Sequence, residues 1–210
     1  MAARSDRMNE PGEMLRSAQA LLDQEIRALS ALRGQLDDRL LHEAVEAIQA
    51  CQGIVMVTGA GTSSSIARRM AHLLTCAGAP AMFLDAGQAQ HGYSAVVTQK
   101  DVIFAFSRGG ETDEVNALLR IARGRGARVI SVLESPESTM AGLSDLILPI
   151  RIAPEDDAFG PIPLASTMVH AALTDVLCGA VLTRRGFDED RFAEVHPGGA
   201  VGKRLRRRER

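Results

Sequence analysis

Two short stretches of the 210-residue chain concentrate the residue types that hold an anion: Gly59–Ala60–Gly61–Thr62–Ser63–Ser64–Ser65 and Ser107–Arg108–Gly109–Gly110–Glu111–Thr112. Glycine lets backbone approach a phosphate, hydroxyls donate hydrogen bonds, and a following helix adds unpaired N–H groups with partial positive charge. Any strand-to-helix turn needs a glycine and a cap, so one such loop says little; two on neighbouring strands make a phosphate cradle. Within it, Gly61, Thr62, Ser63, Ser64, Ser107, Gly109 and Thr112 are the expected contacts. Arg108 is either a cation for the phosphate or a surface arginine. A third loop, Leu164–Ala165–Ser166–Thr167, opens a long helix and adds the hydroxyls of Ser166 and Thr167.

The first loop has two rival readings. Gly59 and Gly61 match the start of a dinucleotide-binding fingerprint, and Asp85 lies near the end of the next strand, but Ser64 takes the place of the third glycine, which normally permits close helix–strand packing. A P-loop is excluded because no lysine follows the glycines.

The elements that must position these loops are legible from apolar spacing. Leu15, Leu22, Ile26, Leu29 and Leu32 recur at helical intervals over 13–33, and Asp37 or Asp38 caps a second helix carrying Leu40, Leu41, Val45 and Ile48. From Ile54 onward the texture changes to five short, near-continuous apolar runs: 54–58, 81–84, 102–106, 129–133 and 146–150. Such runs read as strands buried on both faces. Helical segments over 64–77, 112–123 and 137–143 alternate with them, predicting an α/β fold with a doubly wound, five-stranded parallel sheet. An irregular acidic stretch (153–161), a long helix (164–184) and a short one (188–194) follow. In such sheets ligands bind outside the carboxyl ends of the strands, where all three loops fall.

Composition narrows the class. Apolar residues are 46% and charged residues 24%, the range of a globular domain. The expected organisation is a flexible N-terminus (1–12), one domain (13–205) and a basic tail (206–210). A net charge of −2 offers no general attraction to nucleic acid or anionic lipid. Neither an apolar leader nor a membrane-spanning run is expected, and Cys51, Cys76 and Cys178 read as reduced, buried thiols without metal-ligand spacing. The chain reads as a cytoplasmic protein without metal or cofactor.

Four further groups carry acid–base chemistry. Glu111 opens the helix after the third strand, where an acid also suits the macrodipole. His91 follows a polar turn, and His196 precedes Pro197 and Gly198–Gly199, so neither lies on an apolar helix face. Glu155 stands in an acidic run with Asp156 and Asp157. His42, His72 and His170 fall within helices and are read as structural or surface residues.

The order strand–GAGTSS–helix, strand–SRGGET–helix resembles the sugar isomerase (SIS) fold, with Ser107 and Thr112 at its hydroxyl positions. Gln90–Gly92, Ser107–Thr112, Pro136–Met140 and His196–Gly202 resemble arabinose 5-phosphate isomerases, and the similarity runs from about Leu15 to Leu205. Family enzymes usually carry a lysine where this chain has Thr62, read Ser-Asn-Ser-Gly-Glu-Ser over 107–112 and Thr-Ser-Ser-Thr over 164–167; longer members continue into paired CBS domains. Losing that lysine removes a charge-assisted phosphate contact, which Arg108 could restore.

The resemblance implies an aldose–ketose isomerase for a phosphorylated sugar, and it maps Glu111, Glu155, His91 and His196 onto active-site positions. A homo-oligomer is expected because the two N-terminal helices and the final segment exceed what one doubly wound sheet needs and must bury their apolar stripes on a partner; the resemblance implies a tetramer. Proton transfer through an enediol needs an acid and a base only. The base is Glu155 or Glu111, and one histidine opens the ring. The alternative is a non-catalytic phosphosugar-binding sensor or regulatory subunit that keeps the serine loops.

Overall fold

The structure, a computed structural model, describes residues 12–157, 159–160, 162–196, 198 and 204. Helices α1 (Glu13–Gln35) and α2 (Asp38–Ala50) precede strand β1 (Val55–Gly59). Then follow α3 (Thr62–Cys76), β2 (Ala81–Phe83), the single turn α4 (Ala86–Ala89) and β3 (Val102–Phe106). The second half comprises α5 (Asp113–Gly124), β4 (Arg128–Leu133), the single turn α6 (Thr139–Gly142), β5 (Leu146–Pro149), α7 (Ala165–Arg184) and α8 (Glu189–Val195). Short 3-10 turns occupy Tyr93–Val96 and Pro154–Asp156. All five expected strands are present, and all strand pairs are parallel, in the order β2-β1-β3-β4-β5.

Alternation along buried strands divides the core in two. Val55, Val57, Val102, Phe104, Phe106, Ile130 and Val132 face a layer built from α1, α2, α3 and α7. Met56, Ile103, Ala105, Val129 and Leu133 face α4, α5 and α6. The 20-residue helix α7 is apolar and long enough to cross a membrane by length and composition, yet half of its most apolar window is buried in the protein. Val169, Leu173, Leu177 and Val181 are all in the core, which explains the composition: α7 covers the sheet.

The N-terminal helices differ from expectation. Asp37 caps α2 through the Leu40 N–H at 2.9 Å, and Ala44, Val45, Ala47 and Ile48 are buried against the core, so α2 does have a surface to cover. α1 buries only Ala28 and Leu32 fully, while Leu15, Leu22 and Ile26 stay exposed. Its C-terminal end is fastened to the chain leaving β5: the Gln35 side chain donates to the Arg151 carbonyl at 2.9 Å and accepts from the Arg151 N–H at 2.7 Å. Cys178 is buried as expected, its thiol pushed up to about 12 by burial, whereas Cys51 and Cys76 are only partly covered.

Candidate active site

The strand order reverses between β1 and β3: from β1 the chain turns outward to β2, then crosses back to β3 on the other side. The carboxyl ends of those two strands are the topological switch point, where a crevice opens in sheets of this kind. Both hydroxyl-rich loops leave from these strands.

In the first loop, Gly61 takes φ of +55°, a left-handed turn that a side chain resists, and α3 starts at the next residue. Thr62 is exposed, and Ser63 and Ser64 are partly exposed. The Ser64 hydroxyl donates to the Gly61 carbonyl at 2.7 Å and the Ser65 hydroxyl to that of Thr62 at 2.6 Å.

The second loop is held tightly. Ser107 is buried; its Oγ lies 3.0 Å from Thr112 Oγ1 and accepts from the Gly110 N–H at 3.1 Å. Gly110 has φ of +71°, and a Cβ there would lie 2.2 Å from Ser138 Oγ, so only glycine can stand there. Its carbonyl accepts from Asn116 Nδ2 at 3.1 Å and from the Met140 N–H at 3.0 Å. The stretch 136–140 is therefore the surface into which the second loop is fitted. Gly109 is exposed.

Glu111 is exposed and its Oε1 accepts from the Thr139 N–H at 2.8 Å; this hydrogen bonding to Thr139 holds its carboxyl below the ordinary value. Glu155, on the turn Pro154–Asp156, is exposed and makes no hydrogen bond or ion pair among the described residues. His91 is exposed in the connection after β2, its backbone N–H donating to the Gln88 carbonyl at 2.9 Å. Ser166 and Thr167 lie in the first turn of α7. Ser166 Oγ is buried with no partner, and Thr167 Oγ1 donates to the Pro163 carbonyl.

The fourth acid–base candidate lies elsewhere. His196 stacks on Phe192 at 3.8 Å, its Nδ1 is 3.1 Å from the Phe192 carbonyl oxygen, and its Nε2 is 3.6 Å from Cys76 Sγ. Cys76 ends α3, a helix of 15 residues, so His196 sits roughly 20 Å, at about 1.5 Å per residue, from Thr62 at the other end. A cavity of about 390 Å³ lined by Cys76, Arg185, Phe187, Phe192 and Val195 lies at this end, remote from the loops. The stretch after His196 that carried part of the resemblance, Pro197 and Gly199–Gly202, and the basic tail 206–210 lie outside the described residues.

Arg108 is engaged rather than free. Its Nε donates to Glu134 Oε2 at 3.0 Å and its Nη1 to Asp157 Oδ2 at 2.7 Å. Glu134, Asp157 and the neighbouring His170 escape sequence reasoning. Asp157 is hidden in an acidic run, and His170 is a helical histidine. Only the fold brings them together. His170 is buried, 6.0 Å from Phe106 between ring centroids, and burial followed by the Arg108 charge pushes it down to about 4, with Glu134 and Asp157 opposing.

Sheet order and switch-point loops define an α/β protein with a doubly wound parallel sheet whose β1 and β3 end in hydroxyl-rich loops. The chain belongs to the SIS-domain family, whose model matches residues 50–175. It is 38% identical over 155 residues to arabinose 5-phosphate isomerase KdsD of Escherichia coli K12, covering 74% of this chain and 47% of that protein. It is 33% identical over 198 residues to KdsD of Pseudomonas aeruginosa PAO1, covering 94% of this chain and 60% of that protein. The chain thus spans about half to three-fifths of the length of these relatives. Among solved structures, Escherichia coli CFT073 c3406 in complex with arabinose 5-phosphate superposes with a TM-score of 0.84 at 27% identity, covering 90% of this chain and all of that one. The Vibrio vulnificus NanR protein complexed with ManNAc-6P gives 0.73 at 25% identity, over 85% of this chain and 66% of that one.

Proposed function

We propose that the protein is an aldose–ketose isomerase for a phosphorylated sugar of about five or six carbons, using no metal or cofactor. The observation that carries this reading is the pair of loops, 59–65 and 107–112, flanking the switch point of the sheet. Relatives named as arabinose 5-phosphate isomerases and a structure of the same fold in complex with arabinose 5-phosphate support it. The phosphate sits between Gly61, Thr62, Ser63 and Ser64 on one side and Ser107, Gly109 and Thr112 on the other. Ser166 and Thr167 contribute hydroxyls from α7.

In this reading His91 exchanges the proton that opens the sugar ring. Glu155 removes the proton from the carbon beside the carbonyl and returns it one carbon away through the enediol, a task for a carboxylate with no prior partner. Glu111, already bound to the Thr139 N–H, holds the second loop against residues 136–140. His196 can take part only if a second chain presents it, since it lies far from its own chain's loops. A tetramer is the proposed assembly, with exposed Leu15, Leu22 and Ile26 of α1 buried between chains. The proposed location is the cytoplasm, with residues 13–205 acting as one domain.

The test is a panel of aldose and ketose phosphates incubated in heavy water, scored for product and for deuterium on the carbon beside the carbonyl. Glu155→Gln and His91→Asn are expected to lower turnover by about 10²–10⁴-fold at nearly unchanged phosphate affinity. Glu111→Gln, which can still accept from Thr139, is expected to lose far less. The second reading, a phosphosugar-binding regulatory module, is favoured by Thr62 in the position where the enzymes usually carry lysine. Tight binding of several phosphosugars with neither exchange nor product would decide for it.

A further inference from the structure

Arg108 replaces a neutral residue of the usual motif, and its surroundings give it a task other than holding phosphate. Its guanidinium bonds two carboxylates at once, Glu134 at 3.0 Å and Asp157 at 2.7 Å. Each carboxylate holds a further loop with its second oxygen. Asp157 Oδ1 accepts from the Ser166 N–H at 3.3 Å, at the start of α7, and Glu134 Oε1 accepts from the Ile152 N–H at 3.1 Å, beyond β5. The main chain adds a fourth tie, the Glu134 N–H donating to the Arg108 carbonyl at 2.8 Å. One cation therefore joins the loops that leave β3, β4 and β5.

One of the two carboxylates is buried, and that fixes where the guanidinium must stay. The Asp157 side chain is 2% exposed, against 34% for Arg108 and 30% for Glu134. A buried carboxylate stripped of its cation is costly, so turning the guanidinium outward to a phosphate would leave Asp157 uncompensated. A planar guanidinium meets two carboxylates at fixed angles, which a lysine at the same place could not do.

We propose that Arg108, Asp157 and Glu134 form a positioning lock that sets the 107–112 loop against the N-terminus of α7, and that Arg108 is not a phosphate ligand. The hydroxyls that would meet the substrate, Ser107 and Thr112 on one side and Ser166 and Thr167 on the other, then keep a fixed separation with or without ligand. The lock deepens the phosphosugar reading and rests on it for its effect on turnover.

The experiment compares the full chain with Arg108→Gln, Asp157→Asn and the double variant, in which two neutral amides replace the ion pair at similar volume. Three quantities are read: affinity for inorganic phosphate and for a pentose 5-phosphate, the separate changes in kcat and KM on any sugar phosphate turned over, and hydrogen-exchange protection of the Ser166 amide. The lock predicts that Arg108→Gln and Asp157→Asn change phosphate affinity to the same extent, within about threefold of each other, because both act only by releasing the same loops. It predicts a fall mainly in kcat, about tenfold or more, from misplaced loops. Ser166 protection should fall in both single variants, with the double variant no worse than either, since both act through one pair. A loss of tenfold or more in phosphate affinity confined to Arg108→Gln would overturn the proposal and make Arg108 a ligand. Additive effects in the double variant, or unchanged Ser166 protection, would overturn it as well. If the wild-type protein turns over no sugar phosphate, the isomerase reading fails alone, because phosphate affinity and amide protection still judge the lock.

Discussion

Lowering the pH from 7.5 to 4.5 should destabilise this protein through His170, and the size of the effect follows from its burial. The side chain is 3% exposed in α7, and burial, then Arg108, push it down to about 4 from 6.5, against the opposing pull of Glu134 and Asp157. In the unfolded chain the imidazole takes a proton as the pH falls through about 6.5; in the folded protein it stays neutral until about 4. The folded value is the depressed one, so the unfolded state binds more protons throughout this window. Stability from this group is full above 6.5 and is lost progressively down to about 4. The 2.5-unit difference between 6.5 and 4 corresponds to about 3 kcal/mol at most, of which roughly 2–3 kcal/mol should be lost by pH 4.5. Urea unfolding followed by circular dichroism at pH 7.5, 6, 5 and 4.5 would measure it. The control is His170→Phe, which keeps a ring beside Phe106 but cannot titrate; groups that do not interact with His170 cancel in the difference. Parallel stability–pH profiles for wild type and variant would show that His170 titrates alike in the folded and unfolded states and contributes no slope.

Other outcomes follow from the same geometry. Ser107→Ala should weaken phosphosugar binding by about 1 kcal/mol or more, the worth of a hydrogen bond to a charged group, as read by calorimetry; unchanged affinity would remove Ser107 from the site. Gly110→Ala places a Cβ 2.2 Å from Ser138 Oγ at a φ of +71° and should cost about 2 kcal/mol or more in unfolding experiments, with partial recovery in Gly110→Ala/Ser138→Gly. If the exposed stripe of α1 is an interface, Leu22→Lys with Ile26→Glu should reduce the mass measured by light scattering; a wild-type monomer at micromolar concentration would dismiss the assembly.

The sheet was legible because buried parallel strands are written as continuous apolar runs, and the helices because α1 and α2 repeat their apolar residues at helical spacing while α3 and α5 fill the lengths between strands. Residues 102–106 match β3 end for end, and the other strands shift by one residue at their limits. The cradle loops were legible too, since glycine at a left-handed turn and hydroxyls at a helix start are local requirements that the chain must satisfy in its own sequence. Local pattern could not tell that α2 would reach the core while the first half of α1 would not, because that depends on how much surface α7 leaves uncovered.

Side-chain partnership is where the tertiary structure alone decided. Glu134 and Asp157 stand 26 and 49 residues beyond Arg108 along the chain, yet the three meet because three parallel strands end side by side. His196 reads as a site residue from its glycine-rich neighbourhood, but α3 runs from the carboxyl edge of the sheet to the opposite edge and carries its contact with Cys76 away from the loops. Residue types and spacing fix which groups can do proton transfer and where a turn must be glycine. Which charges neutralise one another, which histidine loses its proton, and which carboxylate stays free are set by distances and burial, and those exist only once the strands are ordered β2-β1-β3-β4-β5.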